Sequence, residues 1–80
     1  MGLAKSEAEI GERASRFLKA ESKRADMTYE ELAKQLKKHG VPTETKDSIK
    51  AKLMRGTFAA TFMLATIAAL ELEGVRLEDI

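Results

Sequence analysis

The chain has 80 residues, with 14 Lys and Arg, 13 Asp and Glu, one His and no Cys. One small domain of this size buries only about 60–65% of its unfolded surface, and without cysteines it is reinforced neither by disulfides nor by thiolate metal sites. The formal +1 charge hides an uneven distribution: residues 34–55 carry Lys34, Lys37, Lys38, Lys46, Lys50, Lys52 and Arg55 against Glu44 and Asp47, while the segments on either side are net acidic. Such a cluster attracts polyanions through its local potential, whatever the total.

Residues 1–80 are expected to form a single helical domain, with residues 1–5 disordered ahead of it. Ser6-x-x-Glu9 is a capping box that starts a first helix, and Ile10, Ala14, Phe17 and Leu18 follow as one narrow apolar stripe. That helix is expected to fade near residues 24–26. Thr28-Tyr29-Glu30-Glu31 is a second capping box, with Met27 and Leu32 positioned as a hydrophobic staple. Leu32, Ala33 and Leu36 form the buried face of this second helix. Lys37, Lys38 and His39 complement its C-terminal dipole, and Gly40 supplies the left-handed stop before Val41-Pro42. A third helix starts at Thr43 or Thr45. Its Ile49 and Leu53 face the core, while Asp47, Ser48, Lys50, Ala51, Met54 and Arg55 point away. Residues 28–56 thus read as a helix-turn-helix-like unit. Gly56 ends the third helix and Thr57 caps a fourth, an apolar helix over 57–73 that Gly74 closes. A short turn follows over 75–80. No period-2 alternation is present, so no strand is expected, and the fold class is all-α with four to five short helices.

The fourth helix is apolar on every side, with Phe58, Phe62, Ala65, Ala69 and Leu72 on one face. Such a helix is either surrounded by the rest of the domain or part of an interface. Both readings stand: a central core helix, or a homodimer interface made by Met63, Leu64, Ile67 and Leu70. The uncharged run over 56–70 is shorter than the ~20 residues that cross a bilayer. With no apolar leader at its start, the chain is expected to be cytoplasmic and to bind no membrane.

Several of these runs resemble the lambda-repressor-like helix-turn-helix superfamily, of the XRE or Cro type. They are Thr28-Tyr-Glu-Glu-Leu-Ala33, then Ile49 and Leu53, then Arg55-Gly56-Thr57, and finally Ile67-Ala-Ala-Leu70 with Gly74-Val-Arg-Leu-Glu-Asp-Ile80. The resemblance implies that the second helix is a scaffold, the third a recognition helix, and the C-terminal run their backing. The chain departs from that pattern in its spacing. Ala33 to Gly40 is about one helical turn longer than in typical members, and Gly40 to Ile49 is longer too. The longer form, with Gly40-Val-Pro-Thr-Glu-Thr45 and Arg55-Gly-Thr-Phe58, is similar to a bacterial domain family of unknown function.

Two functions follow as expectations. In the first, the chain is a DNA-binding, regulator-like module for double-stranded DNA. Lys46, Asp47 and Lys50 approach base edges, Thr43 and Thr45 reach phosphates, and Lys34, Lys37, Lys38 and Arg55 neutralise phosphates. The amide ends of the helices at Thr28 and Thr45 offer further phosphate sites. No Arg, Asn or Gln lies between Gly40 and Met54, so the usual bidentate base readers are missing and weak sequence specificity is expected. In the second, the chain is a protein-interaction or homodimerisation module without nucleic acid. An enzyme is not expected: Ser6, Ser15, Ser22 and Ser48 have no base at plausible spacing, Glu30-Glu31 fits a cap, and His39 fits a helix end. No cofactor and no metal are expected, since the lone His39 has no clustered partner ligands.

Overall fold

The structure, a computed structural model, describes residues 6–80. Four α-helices follow one another: α1 (Glu7–Arg24), α2 (Tyr29–Lys38), α3 (Lys46–Arg55) and α4 (Ala60–Ala69). A single 3-10 turn, Leu77–Asp79, occupies part of the expected final turn. No strand is present among the described residues, so the class is all-α. The segment 1–5, expected to be disordered, lies outside the described residues.

The helix starts follow their caps. Ser6 accepts from the Glu9 amide at 3.2 Å. Thr28 and Glu31 form a reciprocal capping box, and of the two candidate starts for α3 the structure uses Thr45, whose box partner is Ser48. Thr57 is not the cap of α4. Ala59 holds that position without a side-chain hydrogen bond, and the helix begins one residue later. Just ahead of the helix, the Phe58 ring packs on Phe62 with centroids 5.3 Å apart.

Three helices stop in the same way. Val41 donates to the Leu36 carbonyl at 2.9 Å across a left-handed Gly40, φ +87°. Met27 donates to Ser22 across Asp26, φ +55°, and Leu72 donates to Ile67 across Glu71, φ +59°. This pattern returns an otherwise orphaned carbonyl to the hydrogen-bond count. The expected stop at Gly74 is therefore corrected. The left-handed residue is Glu71, so α4 is shorter than the predicted 57–73. A non-glycine residue there costs roughly 1–2 kcal/mol, which the following Leu72 hydrogen bond and packing offset.

The core gathers Leu18, Leu32, Leu36, Ile49, Leu53, Phe62, Ala65 and Ala69. α3 packs on both α1 and α2, and α2 also packs on α4. The α1 stripe differs from its expected position by about one residue. Ser15, Leu18 and Ser22 are buried, Phe17 is half-buried, and Ile10 is 37% exposed. The cause is a close approach of backbones: a Cβ placed on Gly11 would lie 2.0 Å from the Gly56 carbonyl oxygen. Contact that tight requires small residues on the facing side of α1, so glycine and serine line it where larger apolar residues were expected.

Candidate nucleic-acid interface

α3 is held from behind and open in front. Ile49 and Leu53 are buried against α1 and α2, which turns Lys46, Asp47, Lys50, Ala51, Met54 and Arg55 to solvent. Met54 is 72% exposed, which is unusual for a large apolar chain. On α2, burial of Leu32 and Leu36 leaves Lys34, Lys37 and Lys38 exposed. Thr43 and Thr45 are exposed in and after the α2–α3 connection. All nine residues read from sequence as DNA contacts therefore lie on the surface.

Two details alter the expected chemistry. The capping boxes already occupy several amides that had been assigned to phosphate. Thr28 N–H donates to Glu31 Oε1 and Glu31 N–H to Thr28 Oγ1, both at 3.1 Å. Thr45 N–H donates to Ser48 Oγ at 2.7 Å, and Ser48 N–H to Thr45 Oγ1. Glu31 is held below its ordinary pKa of 4.5, first by the Thr28 backbone N–H and then by the Thr28 hydroxyl. A carboxylate at that helix start repels a phosphate, so the α2 N-terminus is a poorer anion site than the sequence suggested.

The second detail is Lys52. Unlike the other six cations of residues 34–55, it turns inward and pairs with Glu44, whose side chain is almost fully buried. Its ammonium also lies 5.4 Å from the centre of the Phe62 ring. Ser48 Oγ donates to the other Glu44 oxygen at 2.7 Å. Glu44, Lys52 and Phe62 thus clasp the start of α3 to α4. Removing this internal pair leaves six exposed cations against Asp47 alone, so the basic character of the surface survives.

The four residues read as a dimer interface divide. Leu64 is 66% exposed, Met63 and Ile67 are half-buried, and Met63 packs on the core. Leu70, the C-cap of α4, is buried beside Ala69. The open stripe of α4 is narrow, consisting of Ala60, Thr61, Leu64 and Ala68.

A family model described as a domain of unknown function, DUF6471, matches residues 10–75. The chain belongs to the DUF6471 family. The DUF6471 match takes in α2, α3 and α4 and α1 from Ile10 onward, and includes Gly11 and Gly56, the two residues of the close α1–α3 contact. No curated protein and no solved structure matches the chain. Among the described residues of this DUF6471 chain, no group of three or more His, Cys, Asp or Glu is placed to hold a metal ion. None of its described helices is long and apolar enough to cross a membrane.

Proposed function

We infer that the protein is a double-stranded DNA-binding module of helix-turn-helix type, with α2 as scaffold and α3 as the helix offered to the major groove. The observation that carries this reading is the open face of α3. Lys46, Lys50 and Arg55 stand on it with only Asp47 as a counter-charge, while Ile49 and Leu53 anchor the opposite face. A helix about 10–12 Å across suits a major groove about 12 Å wide. Lys50 can donate to guanine and Asp47 can accept from cytosine, but the lysine-rich set favours phosphate over base contacts. Binding with weak sequence preference follows.

Fluorescence anisotropy of a labelled mixed-sequence duplex, titrated at several salt concentrations, tests this. The expected result is an affinity that falls linearly in log salt, with a slope of roughly −0.9 for each phosphate engaged. Absence of binding at about 50 mM salt, where phosphate attraction is strong, would overturn the reading.

Leu64 favours a second reading, homodimerisation through α4, since a leucine so exposed between Ala60, Thr61 and Ala68 offers an apolar ridge. Under that reading Leu64→Glu turns a dimer into a monomer in sedimentation equilibrium. A wild type that is monomeric at high micromolar concentration removes it.

A further inference from the structure

Counting charge along the chain hides one basic surface. α1 has nearly balanced acids and bases in sequence, yet its faces differ. Gly11, Ser15, Leu18 and Ser22 point inward, and helical spacing then sets Glu12, Arg16, Lys19 and Lys23 along one flank. A groove of about 440 Å³ runs between that flank and the end of α3. Arg16 and Lys19 line it from α1, with Met54 and Arg55 opposite. Glu12 also lines the groove but is engaged by Arg16 at 2.8 Å. Lys19 and Arg55 have no ion-pair partner among the described residues.

We propose that this α1–α3 groove seats the sugar-phosphate backbone of double-stranded DNA, so that α1 carries phosphate contacts alongside α2 and α3. The proposal rests on the nucleic-acid reading above. Three cations and one carboxylate give the groove a net charge of +2. The carbonyl end of α3 opposes this with only about half a negative charge, so the cations win. The backbone contact of Gly11 with Gly56 fixes how far apart the walls stand, and a preformed site avoids an ordering cost on binding. Met54, uncharged and unbranched, forms an apolar lip against which a deoxyribose can rest. The larger concavity, about 1050 Å³ between α1 and the C-terminal segment, is a poor rival for a polyanion. Glu9, Glu12, Glu21 and Asp79 there outnumber Arg13, Arg16 and Arg24.

The test uses the full chain and the same labelled duplex. Arg16→Gln with Lys19→Gln removes two charges from the groove, and Lys19→Gln alone removes one. Arg24→Gln with Arg76→Gln removes two exposed charges from outside it. The groove double variant is expected to lower the magnitude of the salt slope by about 1.8 and to weaken binding roughly 10- to 100-fold at about 100 mM salt. The single variant should lose about half of that slope change, and the control pair should keep the wild-type slope. A groove variant with the wild-type slope overturns the proposal while DNA binding stands. An equal loss in the control pair also overturns it, since net charge alone would then govern affinity. No binding by the wild type overturns the nucleic-acid reading and the groove together. All substituted side chains are exposed, and an unchanged helical circular dichroism spectrum verifies that each variant is folded.

Discussion

Ser15 and Ser22 show how a residue chosen for size carries an energetic cost. Both are buried on α1, and neither hydroxyl has a hydrogen-bond partner among the described residues. A buried hydroxyl left unpaired costs about 1–3 kcal/mol, and serine is also a weaker helix former than alanine. Ser22→Ala removes both penalties and leaves the backbone untouched, including the Ser22 carbonyl that accepts from Met27. It is expected to stabilise the protein by about 1 kcal/mol, seen as a rise of roughly 4–8 °C in the thermal midpoint. A midpoint that falls would mean the hydroxyl finds a partner in solution. Glu31 gives a second prediction at this scale. Its pKa in the folded protein lies below 4.5 because Thr28 hydrogen-bonds its charged form. A depressed folded pKa contributes stability above the unfolded pKa and loses it as pH falls through the folded value. Urea midpoints of the wild type should therefore drop on acidification below about pH 4.5 more steeply than those of Glu31→Gln. Parallel curves would show that the box adds nothing to stability.

Among the helices, α4 is the one whose start lacks a side-chain cap. Ala59 already has the extended backbone of a capping residue, φ −71° and ψ 154°. Ala59→Ser is expected to supply the missing acceptor and add about 0.5–1 kcal/mol, measurable as a higher urea midpoint with an unchanged m-value. At this scale much of the fold was legible in the sequence. The Thr28 box, the Gly40 stop and the Ile49–Leu53 pair are local signals, written within a turn or two of the residues they act on. What was not legible depends on contacts distant in sequence. Nothing near Glu71 signals a left-handed residue, and Thr57, a better cap in isolation, gives way to Ala59. The α1 stripe was misplaced because its packing is set by Gly56, 45 positions further on. Gly11, a glycine inside a helix with no helical reason to be there, was the one available hint.

In the assembled domain, charge has to be counted by surface. The basic segment 34–55 was visible as composition, and its nine assigned side chains do reach the surface. Sequence did not show that Lys52 would turn inward to Glu44, or that Arg16 and Lys19 would face Arg55 across a groove. Both are consequences of how α1 docks on α3 and of where α2 holds α4. That docking can be tested directly. Gly11→Ala gains roughly 1 kcal/mol of helix propensity but drives a methyl group into the Gly56 carbonyl. Displacing two packed helices costs more than this gain, so a net loss of about 2 kcal/mol or more is expected in chemical denaturation. A stabilised Gly11→Ala would mean that α1 does not sit on α3 as described.

The same contact restricts how this sequence can diverge. Most tight packing in a core joins two side chains, so a larger residue on one side can be matched by a smaller one on the other. Here the obstacle at position 11 is the main chain of residue 56, and the obstacle at 56 is the main chain around residue 11. Neither can be trimmed, and no second substitution at the partner site can restore the fit. The two glycines are therefore tied to each other without the usual freedom to exchange volume. A relative lacking Gly11 must hold its first helix at a different distance from the third, while at position 56, where a Cβ would stand 3.2 Å from the residue 11 backbone, the left-handed φ of +73° is the stronger reason for glycine.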